Sequence, residues 1–302
     1  MKRYIKYVAI VLAVMLVIII GTTINKNNQE EKQEDGKFKI VTSFYPVYIM
    51  TANITQGANN IELVNMADTN VGCIHNYTLS TEDMKKVENT DVFIENGLGL
   101  ENFIDKVTSS NKNLQIIDSS ANIMNLIKEE NETNPHIWTS LSNYIEQVKN
   151  ISNALIEKNP ENTEIYIKNT ENYIKRLADL KLRFDTELQG LNGKSAIVLN
   201  ESFEYLTRDA KMKITTIHTD HEESTISAET LKNIIDEMKQ NQIEIIIVDI
   251  NDNIKNAETI ANETGAKIYK LDSGLTGSLS KDSYLNSMNG NLNTLKNAIN
   301  EQ

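Results

Sequence analysis

The sequence predicts an α/β fold of two lobes with parallel sheets, joined by one long rigid α-helix and preceded by an N-terminal membrane helix. Three observations support this prediction. Short β-branched runs alternate with helical patterns in two separate sets, which is typical of parallel βαβ units. Residues 162–188 keep apolar side chains at helical spacing without glycine or proline. Near the N-terminus, residues 8–20 form an unbroken apolar run.

The N-terminal run is typical of a membrane-targeting segment. Lys2, Arg3 and Lys6 precede it, and positive charge keeps that end of a segment on the cytoplasmic side. With its flanking residues it approaches the roughly 17 residues that a spanning helix needs. We expect an uncleaved signal anchor over residues 1–24, with a cleaved signal peptide as the alternative. Residues 25–36 are polar and charged, which predicts a flexible linker to an extracytoplasmic body.

The N-terminal lobe is predicted to cover residues 37–160. Its strands are predicted at 38–42, 61–64, 91–94 and 114–117, and its helices at 48–54, 81–87 and 100–107. The connecting helix is assigned to residues 161–189. Its apolar pattern at residues 162–188 covers about 27 residues, which would span roughly 40 Å at 1.5 Å per residue, enough to run along both lobes and limit hinge motion.

The C-terminal lobe is predicted to cover residues 190–302. Its strands are predicted at 196–199, 243–248 and 266–271, and its helices at 227–240 and 257–264. This is a second set of the same kind as the first. The predicted molecule is therefore two α/β lobes on one stiff helix.

The net charge and the cysteine content of the chain limit which binding partners and which cross-links are expected. The net charge of −12 and the pI of about 4.9 repel a phosphate backbone and attract cations, so we expect no nucleic-acid binding. The chain has one cysteine, Cys73, and hence no internal disulfide. The main interpretation of Cys73 is a small buried side chain, and a metal ligand is the alternative.

Metal-compatible side chains follow the predicted strands, where open α/β sheets bind ligands. These residues are His75, His136, Asn200, Glu201, Asp249 and Asp272. Imidazole combined with carboxylate oxygen suits zinc, and manganese accepts the same mixture. The segment with His218 and His221 is either a surface loop or an auxiliary metal-collecting site.

Several longer motifs occur in a fixed order. They are Thr42-Ser43-Phe44-Tyr45-Pro46, His75-Asn76-Tyr77, Asn96-Gly97-Leu98-Gly99-Leu100-Glu101 and Asn134-Pro135-His136-Ile137-Trp138. With these motifs the chain resembles, from about Lys37 onward, the zinc and manganese solute-binding proteins of ABC transporters. The resemblance implies that His75 and His136 are N-lobe ligands and that Asp272 is the C-lobe carboxylate.

This chain departs from the family pattern at the position of the third metal ligand. A histidine or glutamate is expected three residues before Phe203, and Asn200 stands there with Glu201 beside it. A neutral amide oxygen is a poor zinc ligand, so either Glu201 is recruited or the site is weakened. Both residues remain candidates. The proline or glycine expected before the first histidine is also absent, since Ile74 stands there.

The resemblance implies a monomeric, membrane-anchored binding protein that captures Zn²⁺, or alternatively Mn²⁺, between its lobes and delivers it to an ABC transporter permease. No catalytic motif is recognisable, so an enzyme is not expected. The alternative from another class is a surface adhesin or interaction protein on the same scaffold with degraded metal binding.

Overall fold

Two lobes, each built on a four-stranded parallel sheet, make up the compact unit that begins at Phe38. The computed structural model describes residues 36–111, 113–128, 132–217 and 226–301. Parallel strands need helical crossovers, and in the described residues helices intervene between most consecutive strands. The prediction of two parallel α/β lobes and a long helix is confirmed.

The N-terminal lobe has strand order β2-β1-β3-β4. Its strands are β1 (Phe38–Thr42), β2 (Ile61–Asn65), β3 (Val92–Glu95) and β4 (Gln115–Asp118). Its helices are α1 (Tyr45–Thr55), α2 (Thr81–Val87), α3 (Ile104–Ser110) and α4 (Leu141–Lys158). In β3, Val92, Phe93 and Ile94 are almost fully buried. Such continuous apolar runs are expected where helices or other layers cover both faces of a parallel sheet.

The C-terminal lobe repeats this topology with strand order β6-β5-β7-β8. After the long helix α5 (Thr163–Glu187), its strands are β5 (Ser195–Val198), β6 (Lys213–Thr216), β7 (Ile245–Asp249) and β8 (Lys267–Leu271). Its helices are α6 (Glu204–Asp209), α7 (Ala228–Asn241), α8 (Lys255–Thr264) and α9 (Ser283–Asn300). All five residues of β7 are buried, as expected for a central strand.

Several elements differ from the sequence prediction, and three of them have an identifiable physical cause. Helix α1 begins at Tyr45, three residues early, because Pro46 occupies a first-turn position where its missing N–H costs no helical bond. Helix α3 begins only at Ile104 because Glu101 accepts backbone bonds that hold the preceding residues in a loop. Strand β6 was not predicted, since it has only four residues at a sheet edge, one exposed and three half-buried, and these carry little periodic signal.

Helix α5 is bonded to elements of both lobes. Its 25 residues correspond to a length of about 37 Å at 1.5 Å per residue. The Asn169 amide donates to the carbonyls at the end of α1 at 2.9 and 2.8 Å. Further along, the Arg176 guanidinium lies 2.6 Å from the Asp282 carboxylate, and Arg183 donates to Asn289 in α9. Helix α5 thus acts as a strut along both lobes.

The lobes share a hydrophobic core. The Tyr144 ring of α4 stacks on the Tyr284 ring of α9, with centroids 3.5 Å apart and planes within 7°. The indole N–H of Trp138 donates to the Ser273 carbonyl at 2.9 Å, which joins the segment before α4 to the loop after β8. Buried apolar residues continue from Phe93 in the first sheet to Val198 in the second. Lobe opening would therefore have to break buried contacts.

Parts of the sequence prediction lie outside the described residues. These are the anchor at residues 1–24, nearly all of the linker at residues 25–36, and the segment with His218 and His221. Within the described ranges, no helix has both the length and the apolar character needed to cross a bilayer.

Candidate metal centre

The candidate residues lie around the carboxyl ends of the two sheets. In each sheet the strand order reverses beside the first strand of the lobe, a position where open α/β sheets bind ligands. His75 lies in the loop after β2 and His136 in the segment after β4. Asn200 and Glu201 directly follow β5, and Asp272 directly follows β8.

Within the part of the chain that the structure describes, one group of side chains has metal-ligand spacing. The donor atoms of Cys73, His75 and His136 lie within 4.8 Å of one another. The Sγ of Cys73 is 2.9 Å from Nδ1 of His75 and 3.5 Å from Nε2 of His136. The two imidazole rings have centroids 5.1 Å apart. Two predicted ligands are thus brought together, and Cys73 lies between them.

His136 is held by the side chain of Asn134. His136 is fully buried, and both its backbone N–H and its Nδ1 lie 2.9 Å from Oδ1 of Asn134. The Asn134 amide in turn donates to the Glu204 carboxylate at 2.9 Å, which identifies Oδ1 as the acceptor toward His136. Nδ1 of His136 therefore carries its proton, and the lone pair of Nε2 points toward Cys73.

One loop after β3 holds both histidine segments in place. The Asn102 amide donates to the His75 carbonyl at 2.8 Å. The Asn96 amide donates to the Pro135 carbonyl, next to His136, at 2.9 Å. Because the same short loop makes both bonds, the distance between the two histidines depends on its conformation.

Glu101 organises this loop from inside. Its carboxylate accepts from the Ser43 hydroxyl at 2.8 Å and from the backbone N–H groups of Asn96 and Gly97 at 2.7 and 3.1 Å. Burial raises the pKa of Glu101 to about 7, although these donors act in the opposite direction. The carboxyl group thus ties the loop to the end of β1.

Gly97→Ala is expected to destabilise the protein more than the matched variant Gly99→Ala. Both glycines have positive φ, +86° and +80°, so each substitution costs about 1–2 kcal/mol from backbone strain. A Cβ at Gly97 would lie 2.0 Å from Oδ1 of Asp118, whereas a Cβ at Gly99 meets nothing within 4 Å. Differential scanning calorimetry of the two variants should give the lower Tm for Gly97→Ala, and equal values would contradict the close packing of this loop.

From the C-terminal lobe, the predicted third ligand has two candidates in different surroundings. Glu201 has a side chain that is 20% exposed, and its Oε1 lies 3.8 Å from Nδ1 of His136. The Asn200 amide oxygen accepts from the Ser202 N–H at 3.0 Å, and its nitrogen donates to Asp252 at 3.0 Å. The Asn200 oxygen is thus engaged in capping the turn, while Glu201 faces the histidine.

Asp272 lies apart from the two histidines. It does not belong to the group of donor atoms at mutual ligand distance. Its Oδ1 accepts from the Gly274 N–H at 2.8 Å, and its side chain lines a cavity of about 490 Å³ that Tyr45 also lines. The structure therefore does not bring this carboxylate into the group formed by the two histidines.

Cys73 lines a second cavity, of about 360 Å³, together with C-lobe residues that include Asn200 and Asp249. Burial raises the pKa of its thiol to about 11; the His75 N–H lowers it and the negative charge of Glu201 raises it. The thiol of the metal-free protein is thus protonated at neutral pH.

Two residues beside the histidines, Cys73 and Asn134, carry only a weak signal in the sequence. The sequence favours a packing role for Cys73, although its position two residues before His75 is a signal that both side chains face one way. Asn134 was noted only as part of a motif, and only the structure reveals that its amide fixes the imidazole.

Comparison with known proteins gives the following likenesses. The family model described as zinc-uptake complex component A, periplasmic, matches residues 40–298. The zinc-binding lipoprotein AdcA of Streptococcus pneumoniae is 28% identical over 90% of this chain, which spans 58% of that relative's length. The high-affinity zinc uptake system protein ZnuA of Bacillus subtilis is 27% identical over 94% of both chains.

Among solved structures, the solute-binding protein FpvC of Pseudomonas aeruginosa in complex with Mn²⁺ is similar in fold. The TM-score is 0.78 and the identity 27%, covering 88% of this chain and 99% of that one. The likeness thus extends over both lobes and the helix between them.

Proposed function

The chain belongs to the family of the zinc-uptake complex component A, and from this premise we propose that it is the extracytoplasmic metal-binding component of an ABC importer. Its cargo is a divalent transition metal, Zn²⁺ or alternatively Mn²⁺, captured between the lobes. The observation that carries the proposal is the approach of His75 and His136 at the lobe interface, with ring centroids 5.1 Å apart. Relatives whose names record zinc binding or zinc uptake support the same cargo.

The proposed ligand set is His75 and His136 from the first lobe, completed from the second lobe by Asp272 and by Glu201 or Asn200. Glu201 is favoured over Asn200 because a carboxylate is the better zinc ligand and the neutral Asn200 oxygen caps a turn. Ligation by Glu201 requires its side chain to move, since its Oε1 lies 3.8 Å from Nδ1 of His136, the nitrogen that does not face the cluster. Ligation by Asp272 requires a local rearrangement of the loop after β8. Closed coordination by protein ligands suits capture, whereas an enzyme needs an open position for water.

The proposal extends to location and partners. The apolar run at residues 8–20 anchors the chain in the membrane, so that its body lies outside the cytoplasm. The protein acts as a monomer. The partner that receives the ion is the permease of the importer. Release to the permease involves a shift of a loop or a lobe.

Isothermal titration calorimetry of the purified chain with Zn²⁺ and Mn²⁺ tests the cargo. We expect at least one of the two ions to bind more tightly than micromolar. Because protons compete for imidazole nitrogen, the affinity should fall as the pH drops below about 6.5, the ordinary pKa of histidine. An affinity that stays constant on acidification would exclude histidine ligation.

A second candidate is an adhesin or interaction protein on the same scaffold, favoured by the position of Asp272 outside the histidine cluster. The same titration separates the two functions. If neither ion binds more tightly than micromolar, the adhesin is the better account of the chain.

A further inference from the structure

We propose that Cys73 is a direct metal ligand, so that the ion is held by its Sγ together with one ring nitrogen each from His75 and His136. This inference rests on the proposed function and deepens it. A sulfur donor makes the site selective for zinc and unfavourable for manganese. The residue at position 73 thereby contributes to the preference of the site for zinc over manganese.

The distances support this assignment. In a tetrahedral zinc site with Zn–S near 2.3 Å and Zn–N near 2.05 Å, the sulfur and a nitrogen are about 3.5 Å apart. The separation of Cys73 Sγ from His136 Nε2 is 3.5 Å. The separation of Sγ from His75 Nδ1 is 2.9 Å, so this pair must move apart by about 0.6 Å to admit the ion.

The local chain conformation directs both side chains to the same place. Ile74, between Cys73 and His75, is fully buried in the core. Because Ile74 is anchored on the core side, its two neighbours are turned toward the lobe interface. Both are only partly buried, which leaves a path for an ion. Cys73 also lines the cavity between the lobes, so its sulfur is not enclosed by apolar side chains alone.

The chemistry of sulfur determines which ion fits. Thiolate is a soft donor that selects zinc and Cu(I), while manganese prefers carboxylate, carbonyl and water oxygen. When zinc binds, a Zn–S bond forms, the S–H bond breaks, and the proton leaves to solvent. With Cys73 as a ligand, one carboxylate oxygen from the second lobe takes the fourth position, in place of the two C-lobe ligands considered above. Glu201 supplies it only after its side chain turns around the His136 ring, because its Oε1 lies 3.8 Å from Nδ1, the nitrogen that does not face the cluster.

Cobalt substitution of the full-length chain tests the ligand directly. Under reducing conditions, Co²⁺ bound to the wild type should give a thiolate-to-cobalt charge-transfer band in the near ultraviolet. In Cys73→Ser the band should vanish while the visible d–d bands remain. The matched control Asn70→Ala changes the same loop and a residue of the same cavity wall, and removes none of the three donor atoms. It should keep the band.

Competition titrations with Zn²⁺ and Mn²⁺ test selectivity on the same variants. We expect Cys73→Ser to lose about tenfold or more in zinc affinity, with manganese affinity changed by less than about twofold. Cys73→Asp supplies a hard oxygen in place of sulfur and should lower the ratio of zinc to manganese affinity by at least about tenfold. Thermal unfolding of the metal-free variants checks that each one folds.

The outcomes distinguish this inference from the function on which it rests. Cobalt binding with visible bands and no thiolate band in the wild type would refute ligation by Cys73 and leave the proposed cargo intact. An unchanged ratio of zinc to manganese affinity in Cys73→Asp would also overturn the inference. If none of the three ions binds the wild type, the proposed function itself fails.

Discussion

His136→Ala is expected to weaken zinc binding by at least about 100-fold, or about 2.8 kcal/mol. The variant removes a nitrogen whose lone pair is aimed at the cluster because Asn134 holds the opposite ring nitrogen at 2.9 Å. Loss of an outer partner of a metal ligand alone costs roughly 10–100-fold, so loss of the ligand should cost at least the upper end of that range. Calorimetric titration, or competition with a chelating dye, measures the change.

Two further variants make this result specific. His75→Ala removes the partner imidazole and should show a loss of similar size. His221→Ala removes an imidazole from the chain's other histidine-bearing segment, and it should bind zinc as the wild type does. Full zinc affinity in both His75→Ala and His136→Ala would mean that the cargo binds elsewhere. A large loss in His221→Ala would instead point to the segment that contains it.

Trp138→Ala is expected to lower the free energy of unfolding by about 3–5 kcal/mol, the usual cost of removing a large buried aromatic side chain. The Trp138 side chain is fully buried and meets the Phe44 ring edge-on at 5.1 Å. It also packs beside His136, with centroids 5.1 Å apart. The indole N–H bond to the Ser273 carbonyl connects the lobes, so the variant loses both packing and a link between them.

The matched variant Trp138→Phe separates these two contributions. Phenylalanine retains much of the packing against Phe44 but leaves the Ser273 carbonyl without its donor, which costs roughly 1–3 kcal/mol. Urea unfolding followed by circular dichroism measures both variants. Fluorescence is unsuitable because the chain has a single tryptophan. If Trp138→Ala unfolds at the same urea concentration as the wild type, Trp138 does not stabilise the contact between the lobes.

Much of the fold could be predicted from the sequence because central parallel strands and long helices carry strong periodic signals. The strand at β1 and the helix at α2 have the bounds that the pattern predicted. Where the structure differs from the prediction, the sequence pattern is weaker. Strand β6 has only four residues, one exposed and three half-buried. The start of α3 is decided by the carboxylate of Glu101, which makes contacts that are distant in sequence.

The closeness of the two candidate histidines agrees with the sequence prediction, while the positions of the other candidate donors depend on distances that a sequence does not contain. His75 and His136 stand in long motifs, and the structure brings them together. Asp272 also stands in a motif, yet the turn it makes with Gly274 directs its oxygen elsewhere. The ligand roles of all the candidates, the two histidines included, stay predictions. Cys73 carries no motif of its own, and its place beside both imidazoles arises from the folding of one loop.

The strut formed by α5 bears on the ion selectivity of the protein. Its hydrogen bonds to both lobes oppose movement of one lobe against the other, so we expect closure of the lobes to contribute little to the choice of ion. We then expect the choice of ion to depend on which metals the donor atoms of the site prefer. Of the two routes to release considered above, a shift of a loop such as the one that carries His75 is therefore favoured over a movement of one lobe.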